Sequence, residues 1–67
     1  MEKRSLSIAG HRTSIALEPE FWAALDEAAA ADGRSMAVLI TEIDNGRDPE
    51  RGLASAVRVW LLKRAGG

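Results

Sequence analysis

The first part of the chain alternates between apolar and polar positions, as a β-strand with one buried face does. The alternation is clearest in residues 11–17, which predict one strand. One face of that strand is the more apolar and comprises Thr13, Ile15 and Leu17. The opposite face, which the pattern leaves to solvent, comprises Arg12, Ser14 and Ala16.

Residues 5–8 alternate as well, and Ala9-Gly10 then interrupts the pattern. If Ala9-Gly10 is a two-residue hairpin loop, residue 8 lies opposite residue 11 and the aliphatic side chains share one face. If Gly10 instead forms a bulge, one long strand results, and the extra residue brings the same side chains to one side. Periodicity alone does not choose between these arrangements.

Helical spacing begins at Pro19 and predicts a first helix over residues 19–32, which Gly33 ends. Its apolar stripe comprises Phe21, Trp22, Leu25, Ala28 and Ala29. Leu17 and Trp22 have the spacing of a hydrophobic staple, which sets the angle between strand and helix. Ser35 is a good N-cap for a second helix over residues 35–45.

A third helix is predicted over residues 49–65. One face is clearly apolar and comprises Leu53, Ala54, Val57, Trp60 and Leu61. Further apolar residues extend the apolar surface around most of the helix, namely Ala56, Val59 and Leu62. Such a helix must be covered on several sides, by the core or by a partner.

Sixty-seven residues allow one domain, spanning 1–67. A chain of this length buries only about 60% of its unfolded surface, so it needs a disulfide, a metal or a partner subunit. The chain has no cysteine, and its one histidine, His11, cannot hold a metal alone. We therefore expect no cofactor, and association with a second copy is the stabilisation that remains.

The net charge of −1 hides an uneven distribution. Residues 1–17 sum to +2, residues 18–50 to −7 and residues 51–67 to +4. In a symmetric dimer a basic N-terminal ribbon can face phosphate while acidic helices face away. The apolar runs are too short for a membrane span, and neither an export signal nor a cysteine is present, so we expect a cytoplasmic protein with no membrane contact.

One strand followed by helices leaves backbone groups unpaired on both strand edges. Antiparallel pairing of residues 11–17 with the same segment of a second chain satisfies one edge about a two-fold axis. The helices of both chains then cover the apolar face, and the polar face points outward.

With this order of elements, the sequence resembles the ribbon-helix-helix family of bacterial DNA-binding proteins, to which the Arc and MetJ repressors belong. The resemblance rests on residues 12–17 as the ribbon, Pro19 at the first helix and Gly33-Arg34-Ser35 as the turn. Residues 11–14, 17–22 and 53–58 are similar to a small subfamily with an added C-terminal helix. The resemblance implies an α+β, mostly helical fold, namely an intertwined dimer with a two-stranded antiparallel intermolecular ribbon and a third helix.

The resemblance also implies site residues. Contacts to DNA bases fall to Arg12, Ser14 and Ala16. Phosphate contacts are expected from a flexible arm within residues 1–10 and from the start of the second helix, that is from Lys3, Arg4, Arg34, Ser35, Met36 and Ala37. The expected dimer core comprises Thr13, Ile15, Leu17, Trp22, Leu25, Leu39, Ile40, Ile43, Val57, Trp60 and Leu61.

A four-stranded sheet of two hairpins spans about 14 Å between its outer strands, whereas the major groove is about 12 Å wide. We therefore expect residues 3–8 to leave the ribbon on DNA, or to continue the strand through a bulge.

Together these patterns predict a homodimeric, sequence-specific protein that binds double-stranded DNA and acts as a transcriptional repressor. A second hypothesis is a protein-interaction module or antitoxin whose third helix binds a partner protein, because that helix offers much apolar surface. Catalysis is not expected, since His11 lies at a strand end in a domain too small to enclose a cleft.

Overall fold

The computed structural model describes residues 1–66 and contains two strands followed by three helices. The elements in chain order are β1 (Glu2–Ile8), β2 (His11–Leu17), α1 (Pro19–Asp32), α2 (Met36–Gly46) and α3 (Leu53–Gly66). This α+β, mostly helical architecture confirms the fold class. Within the described part of the chain, no helix is long and apolar enough to cross a membrane.

β1 and β2 form an antiparallel hairpin in which Leu6 lies opposite Thr13 and Ile8 opposite His11. The loop residues Ala9 and Gly10 have φ angles of 51° and 83°, and positive φ at both loop positions is what a type I′ turn requires. The hairpin alternative is therefore confirmed, and the bulged single strand is wrong. The sequence left residues 3–8 open as a hairpin strand or a flexible arm, and in the structure residues 2–8 are a paired strand.

The third helix begins later than the sequence suggested, at Leu53 rather than at residue 49. Asp48 holds the preceding segment in a turn instead. Its carboxylate accepts a hydrogen bond of 2.9 Å from the Glu50 amide, and its carbonyl accepts one from the Arg51 amide. An aspartate that bonds the backbone two residues ahead favours a turn over a helix.

The helices cover one face of the hairpin, and the hydrophobic core lies between them. The buried side chains of that core come from all five elements: Ile8, Ile15, Leu17, Trp22, Leu25, Ala28, Ala29, Leu39, Ile40, Ile43, Ala56, Val57 and Leu61. Nine of the eleven residues assigned to a dimer core are thus already buried within one chain, and Thr13 and Trp60 are half-buried. A single chain assembles more core than its length suggested.

The start of α1 is held by its neighbours in space rather than by a side-chain cap. Glu18 stands at the N-cap without a side-chain hydrogen bond, while Leu17 and Trp22 are both buried, as the staple requires. Gly33 ends the helix with a φ of 64° and donates to the carbonyl of Ala30. This left-handed residue lets the chain turn directly into α2.

α3 belongs to the same core and is joined to α1 by two ion pairs. Arg58 donates to the Glu18 carboxylate at 2.8 Å, and Arg64 to Asp32 at 2.8 Å. The hydrogen bond from Arg58 lowers the pKa of Glu18. The bond from Arg64 is the largest influence that lowers the pKa of Asp32. Because α3 fills the core and is tied at both ends of α1, it is an integral part of the domain.

Candidate nucleic-acid interface

The hairpin face that points away from the helices is polar over its whole length. It is built from three cross-strand pairs, which are Lys3 opposite Ala16, Ser5 opposite Ser14 and Ser7 opposite Arg12. We call these six residues the outer face. All of them are exposed except Ala16, which is half-buried. The alternation along each strand, together with the hairpin register, is what collects them on one side.

The three base-contacting residues predicted from the sequence, Arg12, Ser14 and Ala16, do share the outer face. Ser5 and Ser7 were missed. The alternation of residues 5–8 already placed both serines on one face of a strand. That face joins the outer face of β2 only if a hairpin pairs β1 with β2. The candidate surface is therefore twice as wide as a single strand.

The outer face carries two cations and three hydroxyl groups, and none of its six residues is acidic. The hydroxyl oxygens of Ser5 and Ser14 lie 3.1 Å apart, and Arg12 donates from Nη1 to the Ser7 hydroxyl at 3.4 Å. Both contacts are exposed and easily exchanged for others. A guanidinium can bind guanine or phosphate through two hydrogen bonds, and a hydroxyl can donate or accept, so this set suits a nucleic acid.

Arg4 lies on the opposite side of the hairpin from Lys3, its neighbour in sequence. Its guanidinium carbon sits 4.6 Å from the centre of the Trp22 ring, Nε donates to Glu2 at 2.7 Å, and Nη1 lies 3.5 Å from an Asp26 oxygen. The hydrogen bond to Glu2 is the main reason that the pKa of Arg4 is raised. In this structure Arg4 therefore fastens β1 to α1, on the side of the hairpin away from the outer face.

The start of α2 was the second predicted phosphate site. Ser35 caps the helix by accepting a hydrogen bond of 3.2 Å from the Val38 amide. Within residues 1–66 the amides of Met36 and Ala37 have no hydrogen-bond partner, so they remain available. Arg34 is not free in the same way, because its guanidinium donates to both Asp32 and Glu42.

The charges elsewhere set the outer face apart. α1 carries no basic residue, and its exposed acidic residues are Glu20, Asp26, Glu27 and Asp32. These carboxylates would repel phosphate, whereas the outer face attracts it. An orientation that turns the outer face of the hairpin toward a polyanion avoids this repulsion.

β2 has a strand partner on one edge only. The sheet consists of β1 and β2, so in the part of the chain that the structure describes the second edge of β2 pairs with no strand. An unpaired edge offers a row of backbone donors and acceptors to another strand. The arrangement permits pairing with a second copy, in addition to the hairpin.

Among the described residues, little supports a catalytic or metal-binding site. His11 is exposed beside the hairpin turn, and residues 1–66 contain no cluster of side chains that could hold a metal ion. The cleft between α2 and α3 is lined by charges of both signs, including Glu42, Asp48 and Lys63.

Comparison with known proteins gives one match. A family model described as a ribbon-helix-helix domain matches residues 1–65. No curated protein and no solved structure matches the chain significantly. Because the matched range includes β1 and nearly all of α3, both elements lie within the domain that the family model describes.

Proposed function

Because the chain belongs to the ribbon-helix-helix family of non-enzymatic, DNA-binding regulators, we propose that it is a homodimeric, sequence-specific repressor of transcription. The observation that carries the proposal is the outer face of the hairpin, which is exposed, basic and free of carboxylates. Such a repressor acts on chromosomal DNA, and we therefore keep the expectation of a cytoplasmic protein.

The proposed dimer forms through the second edge of β2. Antiparallel pairing with β2 of another chain gives a four-stranded sheet in which the two β2 strands lie in the middle and the two β1 strands outside. A two-fold axis perpendicular to the sheet keeps both outer faces on the same side. The dimer then presents four cations, Lys3 and Arg12 from each chain, on one surface.

Sequence preference is assigned to the middle strands. Arg12 is the residue best suited to discriminate between bases, because one bidentate contact to guanine contributes about 1–3 kcal/mol of discrimination. Ser14 can bond either kind of base, and Ala16 can contact a thymine methyl group. Two of these three side chains are short, so we expect a modest preference for the operator.

The start of α2 is proposed to bind backbone phosphate on either side of the sheet. The amides of Met36 and Ala37 and the hydroxyl of Ser35 supply the donors, and the helix dipole favours the negative charge. We leave Arg34 out of this site because two carboxylates already hold its guanidinium.

The experiment that tests the proposal is selection of duplexes from random sequence, followed by binding of the selected duplex at a series of salt concentrations. We expect an inverted-repeat site, and an affinity that falls steeply with salt because phosphate contacts release counterions. Arg12→Ala should relax the sequence preference and leave the fold intact. Absence of binding at about 50 mM salt, where phosphate contacts are strongest, would contradict the proposal.

A protein-binding role for α3 is the second candidate. It is favoured by Leu62, which is 73% exposed beside an apolar groove that includes Phe21 and Val59. However, Val57 and Leu61 of the same helix are buried within the chain, so only one strip of α3 is available to a partner. Leu62→Ser separates the candidates, because it should abolish partner binding and leave DNA binding unchanged.

A further inference from the structure

β1 is fastened to the rest of the domain at its first residues. The indole of Trp22 is 1% exposed and donates a hydrogen bond of 2.8 Å to the Glu2 carbonyl. Arg4 stacks on the same ring and reaches Asp26 on α1. Further along the strand, Ile8 is buried in the core. Detaching β1 would leave a buried donor without a partner and expose apolar surface, and both changes oppose release.

The width of the sheet places β1 over the walls of the major groove. In the proposed dimer the outer strands are about 14 Å apart, and the groove is about 12 Å wide. The middle strands therefore lie over the floor of the groove, and the outer strands lie over the phosphates that border it. From the sequence the same widths predicted that residues 3–8 leave the ribbon, but the contacts of β1 with Trp22, Asp26 and the core oppose that departure. With β1 held in the sheet, the width places it against the phosphates.

The side chains that β1 presents are suited to phosphate. Lys3 supplies a compact positive charge, and Ser5 and Ser7 supply hydroxyl donors of the kind that commonly bind phosphate oxygens. Arg4 lies on the other face and takes no part. The three outward residues of β1 form a row parallel to the base-facing row of β2.

Resting on the proposed function, we propose that β1 stays paired with β2 on DNA and that Lys3, Ser5 and Ser7 contact the backbone phosphates along the major groove. Each chain then contributes two rows of contacts to DNA. The row on β2 reads the base sequence, and the row on β1 positions the protein on the phosphates. The expected departure of residues 3–8 from the ribbon is replaced by a fixed outer strand.

A reversible crosslink tests whether β1 stays in place. Leu6 and Thr13 lie opposite each other on the inner face, and opposed residues have Cα atoms about 4.5–5.5 Å apart, within the range of a disulfide. The chain has no cysteine, so Leu6→Cys with Thr13→Cys creates a single pair. We expect the oxidised and reduced forms of this variant to bind the selected duplex equally. Loss of binding on oxidation and recovery on reduction would show that β1 must leave, and would overturn the inference.

Lys3→Ala tests the contact itself without relying on a crosslink. Each phosphate contact contributes about 0.9 to the slope of log affinity against log salt, so losing one per chain should lower the slope of the dimer by about 2. The sequence preference should stay as in the wild type. Lys63→Ala is the matched control, since it removes an exposed lysine of α3 and should leave the slope unchanged. An equal slope for Lys3→Ala and the wild type would contradict the assignment.

The two proposals fail in different ways. If the wild-type protein binds no duplex, the proposed function is wrong. If it binds a selected duplex with the expected salt dependence, but oxidation of the crosslinked variant abolishes binding or Lys3→Ala leaves the slope unchanged, only the inference about β1 is wrong.

Discussion

The two faces of the hairpin are made from alternate residues of the same strands, yet they differ in almost every physical respect. On the inner face Ile8, Ile15 and Leu17 are at most 4% exposed, and Arg4 is held by stacking and by carboxylates. On the outer face the side chains touch one another only through exposed hydrogen bonds. The comparison teaches that the pleat of one sheet separates the residues that stabilise the fold from those proposed to bind DNA, so we expect that each set can be changed without the other.

Removing α3 should have the largest effect on the inner face. Truncation after Gly46 takes away three buried side chains, those of Ala56, Val57 and Leu61, and both ion pairs to α1. We expect a chain without cooperative thermal unfolding by circular dichroism. A truncated chain that folds and binds DNA would assign α3 to partner binding and break the comparison.

Substitutions within β2 compare the two faces directly. Leu17→Ala removes a side chain that is 0% exposed and should lower the free energy of unfolding by about 2–5 kcal/mol. Ser14→Ala, on the outer face of the same strand, should change it by less than about 0.5 kcal/mol. Urea denaturation measures both. Similar losses for the two variants would show that the faces are not separate.

The contact between Trp22 and β1 should have an intermediate effect. Trp22→Phe keeps an aromatic ring but removes the donor to the Glu2 carbonyl, which should cost about 1 kcal/mol for the hydrogen bond, with a further loss for the smaller ring. Hydrogen exchange of the β1 amides should accelerate more than that of α2. Equal acceleration of amide exchange across the chain would show that the substitution lowers global stability and does not loosen β1 in particular.

Of these changes, acid should have the smallest effect on stability, by weakening the contacts between α1 and α3. Hydrogen bonds from Arg58 and Arg64 lower the pKa values of Glu18 and Asp32 in the folded chain. A carboxyl whose pKa is lower when folded stabilises the fold above its unfolded pKa, near pH 4, and loses that contribution as the pH falls through the folded value. Stability should therefore decline below about pH 4.5. The double variant Glu18→Gln with Asp32→Asn should show a shallower decline, and an unchanged slope would argue against these pairs.

Local patterns in the sequence were sufficient to predict the elements and their faces. The period of two in residues 11–17 placed Arg12, Ser14 and Ala16 together, and the helical spacing after Pro19 and Ser35 located α1 and α2. These features depend on residues close in sequence, where alternation and capping act directly.

Features that depend on distant residues were harder to predict. The alternation allowed either a hairpin or a bulge, and the hairpin that forms is held by contacts of β1 with distant residues, in α2 and through the hydrogen bond from Trp22. Arg4 and Arg34 looked like free cations, but their partners include Asp26 and Glu42, which the fold brings near from other elements. Most of the expected dimer core is buried in one chain because α3 supplies the cover that a partner was expected to give.

Binding of a selected duplex by the wild-type protein and by Arg12→Ala, with their unfolding curves measured in parallel, tests the central claim most directly. The account predicts that Arg12→Ala unfolds like the wild type but loses most of its preference for the selected duplex over a random one. A variant that keeps the full preference, or one that loses it only because it has unfolded, would contradict the claim that the outer face of the hairpin reads DNA.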